Sequence, residues 1–182
     1  VSSGGARLAA SLFEPGGAAR GAVLIGPATG IPAAYYAPLA SWLAAQGYRV
    51  LCADYRGIGA SRPPAFRRSL RGFRASLSDW IDDLDCALRA LAERSPDLPL
   101  TLLGHSLGGQ LLPLLPSAAR VQALLGVAVG SGYWGDVPPA IRSKARWLWR
   151  ALVPLVLPLW GYFPGARLGF IGDLPAQAMR DW

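Results

Sequence analysis

The sequence is short of the side chains that most often carry chemistry. Its 182 residues include one histidine, His105, two cysteines and one methionine. Cys52 and Cys86 form no C-x-x-C pair and match no metal-ligand spacing, so neither a disulfide framework nor a zinc site is expected. We expect both cysteines to be buried, reduced thiols, and we expect no metal ion and no organic cofactor.

Lysine is also nearly absent, because Lys144 is the only lysine among 18 basic residues. The formal net charge of +7 therefore comes from arginine. One dense cluster comprises Arg62, Arg67, Arg68, Arg71 and Arg74. This pattern favours a solvated loop, with binding of phosphate or an acidic substrate as the alternative. We expect no nucleic-acid partner.

A long uninterrupted apolar run is missing as well. The most apolar stretch, residues 147–163, is interrupted by Arg150, Pro154 and Pro158 and falls short of the roughly 20 residues that span a bilayer. We expect a buried cap segment there, with an interfacial lid as the alternative, and no stable membrane insertion. No leader of charged then apolar residues is visible, so we expect a cytoplasmic protein. The first residue is valine, so we expect the true start to be missing.

What the sequence does contain is an alternation of short apolar runs and amphipathic stretches. It predicts an edge strand over 7–13, four buried strands over 22–25, 48–53, 100–103 and 121–129, and helices over 34–46, 78–94, 108–115 and 139–152. Ser78 is the predicted N-cap of the second helix. Such alternation indicates a three-layer α/β sandwich with a mostly parallel sheet.

The pentapeptide Gly104–Gly108 reads G-H-S-L-G and follows a predicted strand directly. A G-x-S-x-G sequence between strand and helix is typical of a nucleophile elbow, in which a serine stands on a sharp turn. Ser106 is therefore the candidate catalytic nucleophile. A serine hydroxyl needs a neighbouring base to take its proton, and His105 is expected to pack beside the elbow rather than face the hydroxyl.

Acyl transfer also needs two hydrogen-bond donors for the oxyanion of the tetrahedral intermediate. The backbone N–H of Leu107 is the first expected donor. The second is expected from residues 26–30, here called the oxyanion loop. Pro27 has no N–H, so we predict Ala28, with Thr29 as the alternative.

At these residues the chain resembles the α/β-hydrolase superfamily, over residues 7–130. A second matching stretch, 54–61, reads D-Y-R-G-I-G-A-S. The segments 130–134, 161–165 and 173–175 resemble a group of bacterial hydrolases with a cap after the sixth strand. The resemblance implies a core over 1–130, a cap segment over 131–182, and a serine hydrolase that cleaves a small-molecule ester, thioester or amide. The apolar composition of the cap segment favours a substrate with an apolar acyl group. It leaves the oligomeric state open.

The chain departs from that family in two respects. Gly26-Pro27 replaces the usual His-Gly of the oxyanion loop. The family also places an acid and then a histidine after the serine, and no such pair is visible after Ser106. We expect the acid and the histidine beyond Trp182, so that this chain alone is an inactive fragment with an uncovered sheet edge. Asp136, Asp173 and His105 are weaker candidates for the two missing roles. A non-catalytic binding protein and an acyltransferase that uses the same serine are the alternative functions.

Overall fold

The computed structural model describes residues 1–133, 135–170 and 172–182. Its strands, in chain order, are β1 (Ser2–Ser3), β2 (Ala6–Arg7), β3 (Ala10–Phe13), β4 (Gly21–Gly26), β5 (Tyr48–Ala53), β6 (Leu100–His105), β7 (Ala123–Val127), β8 (Tyr162–Phe163) and β9 (Leu174–Pro175). Its α-helices are α1 (Ala37–Ala45), α2 (Leu77–Glu93), α3 (Leu107–Gln110), α4 (Pro139–Trp147), α5 (Val153–Trp160) and α6 (Ala176–Asp181).

The central sheet of the described ranges has the strand order β3-β5-β4-β6-β7. Strand β3 is antiparallel to β5, and the other pairings are parallel. Alternate side chains of β4 enter different apolar clusters: Leu24 packs with Trp80 of α2, whereas Val23 and Ile25 pack with Ala40 of α1. Helices therefore cover both faces of the sheet, which confirms the predicted three-layer α/β architecture.

The N-cap of α2 lies two residues earlier than the sequence predicted. Its N-cap is Ser76, whose hydroxyl accepts a hydrogen bond from the Asp79 N–H while the Asp79 carboxylate accepts from the Ser76 N–H. The prediction of Ser78 as the cap was wrong because this reciprocal capping box satisfies two helix-end donors at once. Ser78 lies in the first turn instead.

Strand β7 was predicted to be buried, and this prediction was wrong. All five of its residues are exposed, and Leu125 retains 56% of its accessible surface. The strand ends the sheet order and pairs only with β6. An apolar run indicates a strand that can be buried, but whether a covering layer is present depends on other parts of the fold.

Residues 131–182 form most of the remaining structure, although Trp134 of the family-like segment 130–134 lies outside the described residues. Helix α4 continues through a π-helical turn, Leu148–Leu152, into α5. The helix thus extends beyond the predicted end at residue 152, because Pro154 lies in the first turn of α5, where proline is tolerated. No helix in the described part of the chain is long and apolar enough to cross a membrane.

The apolar side chains of this segment pack into the main core. Val153, Leu157 and Phe163 belong to the same buried cluster as Leu88 of α2. The two cysteines of the chain are free and buried, as predicted. Burial raises the pKa of the Cys52 thiol to about 12, so that it stays protonated at neutral pH.

Candidate active site

Ser106 lies in the sharp turn that joins β6 to α3. Its backbone has φ 49° and ψ −115°, and it is one of two non-glycine residues with positive φ in the described ranges. Such a conformation costs about 1–3 kcal/mol and persists only where the surrounding structure holds it. A hydrogen bond of 2.9 Å from the Ser106 N–H to the Val127 carbonyl ties the turn to the end of β7.

The glycines of the pentapeptide make this turn possible. A Cβ at Gly104 would collide with the backbone of Gly109, and a Cβ at Gly108 would collide with the carbonyl of Gly26. The elbow and the oxyanion loop therefore approach each other backbone to backbone. This close approach explains why glycine is required on both sides of the serine.

The Ser106 side chain is half-buried, so its hydroxyl is not enclosed among apolar neighbours. Within the described ranges, neither this hydroxyl nor the Leu107 N–H makes a hydrogen bond. The carbonyl of Ser106, by contrast, accepts from the N–H groups of Gly109 and Gln110 at 3.0 and 3.2 Å. The turn thus holds the serine in place while leaving one hydroxyl and one adjacent N–H free.

A buried tyrosine connects the oxyanion loop to the elbow. The Ala28 N–H donates to the Tyr36 hydroxyl at 2.9 Å, and the same hydroxyl lies 2.8 Å from His105 Nδ1. The Tyr36 hydroxyl accepts from Ala28, and the tautomer of His105 decides whether the same hydroxyl donates to Nδ1 or accepts from it. Burial raises the pKa of Tyr36, so the phenol stays protonated. The Ala28 N–H is therefore occupied, whereas the Thr29 N–H makes no hydrogen bond within the described ranges.

Asp54 is hydrogen-bonded to the segment that follows the oxyanion loop and to its own glycine-rich loop. One carboxylate oxygen accepts from the Ala33 N–H at 2.6 Å, and the other accepts from the Ala60 N–H at 2.7 Å. Burial raises the pKa of this carboxyl, although the two N–H groups act in the opposite direction. Asp54 thus braces its own glycine-rich loop and also the segment that leads from the oxyanion loop to α1.

The weaker candidates for the acid and the base have other partners. Asp173 pairs with Arg62 at 3.3 Å and accepts from the Ala166 N–H, while Asp136 hydrogen-bonds to the Ser131 hydroxyl. His105 is held by Tyr36 through Nδ1. The structure therefore places none of these three with a free side chain directed to the serine.

Sequence reasoning missed Tyr36 altogether. The residue is 5% exposed, whereas its neighbour Tyr35 is 67% exposed, and nothing in the local sequence distinguishes the two. A partner for His105 could have been sought among polar residues after the oxyanion loop, but only the fold selects Tyr36.

Comparisons with known proteins agree with this architecture. The family model described as "Serine aminopeptidase, S33" matches residues 17–160. A monoacylglycerol lipase from Mycolicibacterium smegmatis is 32% identical over 106 residues, which are 58% of this chain and 36% of that protein. The chain thus spans about a third of the length of this curated relative.

Solved structures of similar fold include a thermostable carboxyl esterase from Bacillus coagulans, with a TM-score of 0.62 and 20% identity. A monoglyceride lipase from Saccharomyces cerevisiae has a TM-score of 0.63 and 19% identity. The alignments cover 90% and 84% of this chain but only 51% and 49% of the respective structures. With the family match over most of its length and a fold shared with these enzymes, the chain belongs to the serine aminopeptidase S33 family of α/β hydrolases.

Proposed function

We propose that this chain forms part of a serine hydrolase that cleaves an ester of a small molecule with an apolar acyl group. The observation that carries the proposal is Ser106 itself, which is half-buried, held at positive φ, and free of hydrogen bonds at its hydroxyl within the described ranges. A serine with a purely structural role does not require a strained backbone, whereas in a nucleophile the strained turn makes the reactive oxygen accessible. The similarity to a monoacylglycerol lipase supports an ester as the substrate.

The reaction begins when Ser106 Oγ attacks the carbonyl carbon of the ester and a base takes the hydroxyl proton. The carbonyl π electrons move onto oxygen, and the Leu107 N–H stabilises that oxyanion. When the tetrahedral intermediate collapses, the bond to the leaving alkoxide breaks and the base returns the proton to it. Water then attacks the acyl-enzyme by the same route and releases the carboxylic acid.

A second oxyanion donor is expected from the oxyanion loop. The Thr29 N–H makes no hydrogen bond in the described ranges, and we propose it for this role. Ala28, the residue predicted from the sequence, becomes a donor only if its hydrogen bond to Tyr36 is given up. Either N–H would act together with Leu107.

The base and its orienting acid are proposed to lie in a part of the protein outside residues 1–182. His105 is the only histidine of this sequence, and its Nδ1 is occupied by Tyr36. We also propose that residues 131–182 form the cap of the site and that residues 1–130 form the catalytic core. In this structure the cap meets the oxyanion loop where Gly172 packs against the Gly30 carbonyl.

The proposal is tested by treating the full-length protein with a fluorophosphonate probe. Labelling is expected in the wild type and in Ser78→Ala, because Ser78 is exposed and makes no side-chain hydrogen bond in the described ranges. Labelling is expected to be lost in Ser106→Ala, and hydrolysis of p-nitrophenyl esters should fall by at least about a thousandfold. Undiminished labelling of Ser106→Ala would refute the mechanism.

A further inference from the structure

A cleft of about 680 Å³ lies on the surface between the β1–β2 hairpin and the loop that follows β5. It is called the arginine cleft here, because Arg7, Arg62, Arg67 and Arg74 all line it. Arg7 lies in the β1–β2 hairpin, whereas Arg62, Arg67 and Arg74 belong to the arginine cluster noted in the sequence, so folding adds a distant fourth arginine to that cluster. The cleft shares no residue with the elbow or the oxyanion loop.

The charge of three of the arginines that line the cleft is not balanced by the protein. No aspartate or glutamate lines it in the described part of the chain. Three of its guanidinium groups, those of Arg7, Arg67 and Arg74, are exposed and make no ion pair or side-chain hydrogen bond within the described ranges. Unpaired like charges that share one concave surface raise the local positive potential and attract anions.

The two other arginines that line the arginine cleft are already paired with aspartates, unlike Arg7, Arg67 and Arg74. Arg56 is held by Asp79 at 2.7 Å and also pairs with Asp83. Arg62 pairs with Asp173, and its Nε donates to the Phe66 carbonyl at 2.7 Å. The protein thus pairs the partly buried guanidinium groups and leaves those at the mouth of the arginine cleft open.

The remaining wall of the cleft is apolar. Leu8, Pro63, Pro64 and Phe73 contribute to it, and the Phe73 ring packs edge-on against Phe66 with a centroid distance of 5.1 Å. A volume of several hundred cubic ångströms suits a small organic ligand. Guanidinium forks match phosphate oxygens in geometry as well as charge.

We propose that the arginine cleft binds an organic phosphate, with the phosphate on Arg67 and Arg74 and the apolar part of the ligand against Phe73. The phosphate could belong to a soluble metabolite or to a phospholipid headgroup. The chemistry recognised is the same in both cases, and the test below distinguishes the two sources. The proposal does not depend on Ser106 being a nucleophile.

The experiment is a calorimetric titration of the 182-residue chain with phenyl phosphate at low salt. Binding with a Kd below about 1 mM is expected, together with weakening at higher ionic strength. Arg67→Gln combined with Arg74→Gln should weaken binding about tenfold or more, because charge-assisted hydrogen bonds are lost. Arg7→Gln tests the β1–β2 hairpin side of the cleft and should also weaken binding.

The matched control for Arg67→Gln alone is Arg68→Gln, which removes the same single charge from the adjacent, exposed residue that does not line the cleft. Arg68→Gln should bind as the wild type does, and Ser106→Ala should do the same. Equal loss in Arg68→Gln and in Arg67→Gln alone would overturn the proposal, since it would indicate attraction by net charge alone. Circular dichroism of each variant verifies that the exposed substitutions leave the fold intact.

A second arm uses sedimentation with vesicles of phosphatidylcholine containing one third phosphatidic acid. Binding of phenyl phosphate without vesicle binding supports a soluble ligand. Vesicle binding that is lost in the double variant and kept in Arg68→Gln supports a lipid headgroup. Failure to bind phenyl phosphate and vesicles alike would overturn the proposal.

Discussion

The hydrogen bonds of Tyr36 make a quantitative prediction for the substitution Tyr36→Phe. This change removes one oxygen atom from a side chain that is 5% exposed and leaves the ring in place. It deprives the Ala28 N–H of its acceptor and His105 Nδ1 of its hydrogen-bond partner. The perturbation is therefore confined to two hydrogen bonds between the oxyanion loop and the elbow.

The expected loss follows from the burial of the groups left unpaired. A buried polar group without a partner costs about 1–3 kcal/mol. His105 is half-buried, so water can replace part of its lost bond, and the total should be about 2–4 kcal/mol. For a domain of this size that free energy corresponds to a fall in Tm of roughly 5–15 °C.

Urea denaturation followed by circular dichroism measures the free energy of unfolding, and hydrogen exchange measures the protection of the Ala28 amide. Exchange at Ala28 should accelerate in Tyr36→Phe. Tyr35→Phe is the matched control, because the Tyr35 side chain is 67% exposed and its hydroxyl makes no hydrogen bond in the described ranges. If the losses in free energy of unfolding caused by Tyr36→Phe and by Tyr35→Phe differ by less than about 0.5 kcal/mol, the structural role of the hydrogen bonds from Tyr36 to Ala28 and His105 is refuted.

Three further substitutions test other parts of the structure. Gly108→Ala should destabilise the protein by about 1–3 kcal/mol or more, since the new Cβ would collide with the oxyanion loop; thermal unfolding measures this loss. Asp79→Asn should cost about 1 kcal/mol at pH 7 through the helix cap. Burial raises the pKa of Asp79, but hydrogen bonds from Ser76 and the charge of Arg56 outweigh burial and hold that pKa below its usual value. The cost of Asp79→Asn should therefore disappear as the pH falls through and below about 4. The exposed apolar face of β7 should make the chain self-associate, and Leu125→Lys should reduce its sedimentation coefficient at high concentration.

Each of these substitutions has a control or an opposing outcome. Gly16→Ala adds the same methyl group where no atom lies within 4 Å, and its stability should be unchanged or slightly higher. Asp97→Asn changes an exposed aspartate that makes no side-chain hydrogen bond or ion pair in the described ranges, and it should leave the free energy of unfolding at pH 7 unchanged. A monomeric wild-type chain at high concentration would contradict the expectation for β7.

The sequence was sufficient wherever the structural cause was local. Strand β5 has the predicted bounds, and β4 and β6 extend theirs by one or two residues, because short apolar runs bounded by glycine and proline specify buried strands. The turn at Ser106 could be predicted because G-x-S-x-G supplies the small residues that such a turn needs. The N-cap of α2 was misplaced by two residues, because serine is an acceptable cap at both Ser76 and Ser78. Only Ser76 forms the reciprocal pair of hydrogen bonds with Asp79.

The tertiary structure decided what depends on residues far apart in the chain. Only folding brings Ala28, Tyr36 and His105 together, and only folding leaves Tyr35 exposed beside the buried Tyr36. The exposure of β7 likewise depends on its place at the end of the sheet and not on its apolar composition. Local sequence specifies backbone torsions and the periodicity of apolar side chains, whereas burial and hydrogen-bond partners are properties of contacts between distant segments.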